Sequence, residues 1–256
     1  MKPVFYLLAG PNGAGKSTLY RSAVSSGLLP AGAEFVNADL HEAAALQHIT
    51  DPQARSAQAR TWADARRAAC LAQGLSFVSE TVFSHPSKLT LMQEARAAGF
   101  AVVLLVVCVN DPRQLLGRVA QRVAEGGHDV PPERILARYP RTLQHLQQAM
   151  PLADLALLYD TSGVGRHGIS GPKLVARWRH GVWHWQVARP PAWAKKVQPA
   201  KPPLRWLTEP ARCAGASGSV HLAQPACLPG HRLVGRQRGR AAVTNRTGVV
   251  CGRGQC

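Results

Sequence analysis

Residues 10–18 of this 256-residue chain read Gly10-Pro11-Asn12-Gly13-Ala14-Gly15-Lys16-Ser17-Thr18, a full G-x-x-x-x-G-K-[ST] pattern. The apolar run Val4–Ala9 before it reads as a buried strand, and Lys16–Ser26 after it reads as a helix. Strand, glycine loop and helix start in that order leave the chain little choice of local fold. Glycines allow a tight turn and a close approach of backbone to an anion. Several N–H groups then converge at a helix N-terminus, whose dipole favours negative charge. All of Gly10 to Thr18 is therefore expected to cradle nucleotide phosphates, with ATP as the cofactor. Lys16 should reach the β- and γ-phosphates, and the Ser17 hydroxyl should take one position on Mg²⁺.

The rest of residues 1–190 alternates apolar runs with helical patterns, which predicts an α/β domain. Strands are expected at Glu34–Asn37, Ser76–Glu80, Phe100–Val109 and Asp154–Tyr159, in addition to the first. Helices are expected over Pro52–Gln73, closed by Gly74, over Ser87–Ala98, and from Asp111-Pro112 towards Val123. Another starts at Pro131-Pro132-Glu133, where proline suits the first turn. The predicted architecture is three-layered, around a central, mostly parallel, five-stranded sheet. Lys173–Trp178 and Val182–Val187 read as a terminal hairpin.

After Pro191 the periodicity stops. Residues 191–256 hold 11 of the 31 Lys and Arg and one of the 14 acids, and so supply +10 of the net charge of +17. This stretch is expected to be a disordered basic tail, too poor in patterned apolar residues to offset its ordering entropy. It is either a natural tail or GC-rich DNA read in a second frame. Its four cysteines, Cys213, Cys227, Cys251 and Cys256, match no zinc spacing. Aromatic residues among its cations are few (Trp193 and Trp206), which disfavours nucleic acid as a partner except through the tail's charge. The longest apolar run, Ala101–Val109, is far below the ~20 residues that span a bilayer, and the N-terminal run is too short for a secretory signal. The expected setting is the cytoplasm, with no membrane partner.

Other polar residues fall where a phosphate-transfer site needs them. In open α/β sheets ligands sit at the carboxyl ends of the strands. Asp39, just past the second strand, is placed to act as a general base or to orient a hydroxyl; its alternative is a helix cap. Glu80 ends the third strand and is a candidate for binding substrate hydroxyls or reaching Mg²⁺ through water; Thr81 follows it on the substrate side. Asp111 is better read as a cap before Pro112 than as a metal ligand. Arg118 and Arg122 share one helical face, as do Arg134, Arg138 and Arg141 on the next helix. Joined through Gly126-Gly127, these helices would form a lid whose guanidinium groups close on the phosphates. His128 reads as a residue of the joint rather than a base.

The chain resembles the zeta toxin family of P-loop kinases over residues 1–190. The likeness is carried by Gly10–Thr18, Val36-Asn37-Ala38-Asp39, Ser79-Glu80-Thr81, Arg122–Pro131 with Gly126-Gly127-His128, Arg138-Tyr139, and Tyr159-Asp160. The resemblance implies a P-loop kinase fold and ATP-dependent phosphorylation of a sugar hydroxyl, with UDP-N-acetylglucosamine as acceptor. It implies Lys16 as the ATP lysine, Asp39 as the base, Glu80 as a substrate-pocket acid, and Arg122 and Arg138 as the lid arginines on the phosphates. An antitoxin protein is the implied partner. The long cationic tail departs from the family pattern.

Overall fold

The computed structural model describes residues 2–125, 130–165, 168–169 and 171–199. Its centre is a sheet whose first five strands are β1 (Val4–Ala9), β2 (Glu34–Val36), β3 (Phe77–Thr81), β4 (Ala101–Cys108) and β5 (Leu155–Asp160). They lie in the order β2-β3-β1-β4-β5, and every neighbouring pair is parallel. β1 and β4 are the inner strands, which explains their near-continuous apolar composition: Leu7, Leu8, Leu104 and Leu105 are fully buried.

The sheet has seven strands rather than five. The predicted hairpin, β8 (Lys173–Arg179) and β9 (Val182–Trp185), continues it antiparallel from the free edge of β5. Before it, β6 (Val164–Gly165) and β7 (Gly168–Ile169) form a separate two-stranded ribbon.

The helices are α1 (Lys16–Ser25), α2 (Ala38–Ala45), α3 (Pro52–Gln73), α4 (Ser87–Ala97), α5 (Arg113–Ala124), α6 (Pro132–Ala149) and α7 (Ala192–Val197). Local chemistry fixes several ends. Asp51 caps α3 by accepting from Gln53 and Ala54 N–H, and Gly74 closes it in the left-handed conformation. Asp111 stands one residue before Pro112, the N-cap of α5; it accepts from the Arg113 N–H at 3.0 Å and pairs with the Arg113 guanidinium.

α7 corrects the expectation that patterning ends at Pro191. Trp193, Ala194 and Val197 are buried, and α7 packs on α6. Six residues cannot sustain a helix alone, so tertiary contacts hold it. The Asn110 side chain accepts from the Ala192 N–H, and the Trp193 indole N–H donates to Asp160 at 2.6 Å. The folded part thus runs past the boundary drawn at residue 190. The stretch read as a tail lies, from residue 200 onward, outside the described residues. Among the described residues no helix is long and apolar enough to cross a membrane.

Candidate active site

The glycine loop leaves the end of β1 and turns into α1, so its amides gather at the helix start. Close packing dictates the glycines. A Cβ on Gly10 would lie 2.0 Å from the Val107 carbonyl oxygen, and one on Gly13 would lie 2.9 Å from that of Leu115. Gly13 also has φ +77°, in the left-handed region. The loop is therefore clamped between β4 and the first turns of α5. The Gly10 N–H donates to the Thr81 carbonyl at 3.2 Å, which ties the loop to the end of β3.

Lys16 is almost wholly buried. Its Nζ donates to the Pro11 carbonyl at 3.2 Å and lies 3.6 Å from Glu80 Oε1. Glu80 reaches it because β1 and β3 pair in register, Leu8 opposite Glu80. The second oxygen of Glu80 accepts from Asn37 Nδ2 at 3.0 Å. Asn37 is the N-cap of α2, with Oδ1 accepting from the Leu40 N–H at 3.2 Å. Asp39 stands in the first turn of that helix, exposed, beyond the end of β2. Asn37, not Asp39, is the cap. Lys16, Glu80 and Asn37 are thus joined at the carboxyl ends of β1, β3 and β2.

Thr81 is used structurally: its hydroxyl accepts from the Phe83 N–H at 3.0 Å, and Phe83 has φ +62°. Ser17 and Thr18 lie exposed at the start of α1. The loop residues fit a nucleotide and its divalent ion. The glycine backbone leaves no room for side chains against the sheet, Asn12 Oδ1 is buried with no hydrogen-bond partner among the described residues, and the Ser17 hydroxyl stands at the helix entrance.

The arginines divide by packing rather than by spacing. Arg118 is pinned: Nη1 donates to Thr161 Oγ1 at 3.1 Å and Nη2 to the Thr161 carbonyl at 2.6 Å. Burial lowers its pKa, and Asp160 opposes that. Thr161 Oγ1 in turn donates to the Ala14 carbonyl at 2.9 Å, so α5 is latched to the glycine loop through one buried hydroxyl. Arg122 lies half-buried one turn further along α5. On α6, Arg138 is half-buried, and its pKa is lowered by burial and then by Arg134, Arg141 and Arg60 of α3. Four guanidinium groups therefore share one neighbourhood.

The inner faces of both helices are docked. Leu115 and Val119 of α5 are buried, and the Tyr139 hydroxyl of α6 donates to the Val109 carbonyl at 2.7 Å. Thr142 donates to the Val82 carbonyl at 3.1 Å. The Gly126-Gly127 joint of the expected lid, and His128 with it, lie outside the described residues.

Sequence reasoning missed Asn37, Arg118's latch and Thr161. In the sequence Asn37 reads as the end of a strand, although an Asn before an Ala-rich stretch is also a cap signal. Thr161 had no local signal, because its partners lie 43 and 147 residues away.

The sequence profile of the AAA domain family matches residues 6–146, from β1 through most of α6. The chain belongs to that family. No curated protein matches the sequence. Among solved structures, a chain of the AvrRxo1-ORF1:AvrRxo1-ORF2 assembly superposes with a TM-score of 0.57 at 17% identity, and that assembly has also been crystallised with ATP. The match covers 77% of this chain but 64% of that one, so the present chain spans less than two thirds of its relative's length. The PezAT chromosomal toxin-antitoxin system of Streptococcus pneumoniae gives a TM-score of 0.51 at 15% identity, covering 69% of this chain and 72% of that one. These likenesses show the fold alone, an α/β P-loop fold around a mostly parallel sheet, as the sequence reading expects.

Proposed function

We propose that this protein is an ATP-dependent kinase that phosphorylates a hydroxyl of a small molecule, with UDP-N-acetylglucosamine as the acceptor. The observation that carries the reading is the join of Lys16, Glu80 and Asn37 across three strand ends, beneath a glycine loop closed to side chains. When bound, ATP would supply the γ-phosphoryl group, and Mg²⁺ held at the Ser17 hydroxyl would neutralise charge on its phosphates.

Each residue has a part that its position supports. The backbone N–H groups of Asn12, Gly13 and Gly15–Thr18 bind the phosphates, Pro11 having none and those of Gly10 and Ala14 being taken by the Thr81 and Pro11 carbonyls, and the Ser17 hydroxyl holds the metal. Lys16, held over the loop by Pro11 and Glu80, contributes the fixed cation for the transferred group. Asp39, exposed in the first turn of α2 and without a hydrogen-bond or ion-pair partner among the described residues, takes the acceptor proton. Glu80 and Thr81 line the acceptor side. Arg122 and Arg138 neutralise charge on the phosphates. An antitoxin protein is the partner, a reading supported by the fold shared with the PezAT system.

The test is transfer of labelled γ-phosphate from ATP to UDP-N-acetylglucosamine, with mass spectrometry of cell metabolites after expression. A new phosphorylated nucleotide sugar is expected, and Lys16→Ala abolishes it while the variant stays folded. A phosphorylated species of another class would keep the kinase and overturn the acceptor. Failure of purified, folded protein to take up adenine nucleotide in calorimetry would overturn both.

A further inference from the structure

We infer that Asn37 is a positioning residue for phosphoryl transfer: one side-chain amide sets both Glu80 beside Lys16 and the helix that carries Asp39. The inference rests on the kinase reading above and adds a residue to it. Asn37 is 7% exposed and sits at the turn from β2 into α2. Its two polar atoms have separate jobs. Oδ1 accepts from the Leu40 N–H and starts α2; its backbone carbonyl accepts from the His41 N–H at 3.1 Å and closes the first helical turn. Nδ2 donates to Glu80 Oε2 at 3.0 Å, leaving Glu80 Oε1 turned to Lys16.

The cap alone does not call for asparagine. Serine, threonine and aspartate cap a helix about as well. What asparagine adds is a donor on one atom and an acceptor on another, held in one plane. That plane joins the helix of the proposed base to the acid that orients the phosphate lysine. Asp39 lies two residues past the cap, so a change in how α2 starts moves it directly. Misplacing a reacting group by about 1 Å can cost on the order of 10²-fold in rate.

Three variants separate positioning from folding. Asn37→Ser keeps a cap and loses the amide donor. Asn37→Ala loses both. Asn37→Ser combined with Glu80→Gln asks whether Asn37 acts through Glu80. The probes are ATP and UDP-N-acetylglucosamine, with ADP release as the readout. For Asn37→Ser the expected result is a kcat lower by about tenfold to a hundredfold. Its KM for ATP should change by less than about threefold and its melting temperature by no more than about 3 °C, because the cap survives. Asn37→Ala melts lower still. In the double variant the loss is no greater than that of Glu80→Gln alone, since the two side chains act as one unit. A wild-type kcat for Asn37→Ser overturns the inference, as does a loss that multiplies fully with that of Glu80→Gln. If the wild-type protein releases no ADP with UDP-N-acetylglucosamine, the acceptor reading falls and the same variants are compared on the compound that the metabolite search shows to be phosphorylated; if it takes up no ATP, the kinase reading falls, and the positioning role falls with it.

Discussion

The glycine-loop corner and the two arginine helices both carry charge toward the same end of the sheet, but they are built in opposite ways. In the corner, few polar groups are present and nearly all are tied: Lys16 to Pro11 and Glu80, Glu80 to Asn37, and Asn37 to the start of α2. On α5 and α6, five arginines lie at helical spacing, and their surroundings differ sharply. Arg118 is latched to Thr161, Arg138 is half-buried among other guanidinium groups, and Arg134 and Arg141 are exposed. Spacing puts side chains on a common face. It does not say which of them the fold will hold in place. A preorganised charge acts at no further cost of reorganisation, whereas an exposed arginine must first be immobilised.

The contrast is most exposed to test at Asp39, two residues past Asn37 and, among the described residues, not tied. We expect Asp39→Asn to lower turnover by about 10²- to 10⁴-fold with little change in stability, as befits loss of a base. Steady-state kinetics with a melting curve decide it. Near-normal turnover would remove Asp39 from the chemistry and leave the corner as a binding device alone.

The next effect concerns the latch. Arg118→Ala removes two hydrogen bonds to Thr161 and frees the hydroxyl that holds the Ala14 carbonyl. Turnover should fall by about tenfold with a higher KM for ATP, since the loop loses a support rather than a reacting group. Arg134→Ala and Arg141→Ala, at exposed positions, should stay within about threefold. If all three fell alike, the arginines would act as one charged field, and the division by packing would be wrong.

These differences follow what could be read in the sequence. The glycine loop was legible because its chemistry is a backbone requirement: Gly10 and Gly13 sit where any Cβ collides. The ends of α3 were legible because Asp51, Pro52 and Gly74 are local signals. The parallel strands were legible because burial on both faces leaves unbroken apolar runs. Asn37 was misread because a three-residue strand ends one position before it, and the element boundary decides whether it is a strand residue or a cap. Thr161 and Trp193 were illegible for another reason. Their roles are made by partners far away in the chain, and nothing in their immediate sequence distinguishes them from loop residues. The hairpin β8–β9 was seen, but its edge pairing with β5 was not, because strand order is a property of the whole sheet.

Trp193 gives the next prediction in size of effect on function. It is fully buried and its indole donates to Asp160, which also accepts from Ser162 in the loop that holds Thr161. Trp193→Ala should cost about 3–5 kcal/mol of stability while leaving kcat nearly unchanged well below the melting temperature. Truncation should show the same step: ending the chain at residue 199 keeps stability, and ending it at 190 loses it. Equal stability of the two truncations would return α7 to the tail.

The smallest effect tests the core that both regions share. Cys108, at the end of β4, is fully buried, and burial pushes its thiol up to about 12; Tyr139, packed nearby on α6, is raised for the same reason. Both groups stay protonated in the fold at a pH where the unfolded chain has lost those protons, near ~8.5 for Cys and ~10 for Tyr. The unfolded state then binds fewer protons than the folded state, so stability is complete below that range and falls as pH rises through it. By pH 10 the Cys108 part alone should amount to about 2 kcal/mol, or about 4–8 °C in melting temperature for a domain of this size. Melting curves from pH 8 to pH 10.5 should show that decline. Cys108→Ala starts from a lower melting temperature because of the cavity it leaves, but its decline with pH should be shallower, and it is the slope, not the starting value, that reports the buried thiol. An unchanged slope would mean that the end of β4 opens to water, and the clamp of Val107 on Gly10 could not then be as tight as the packing requires.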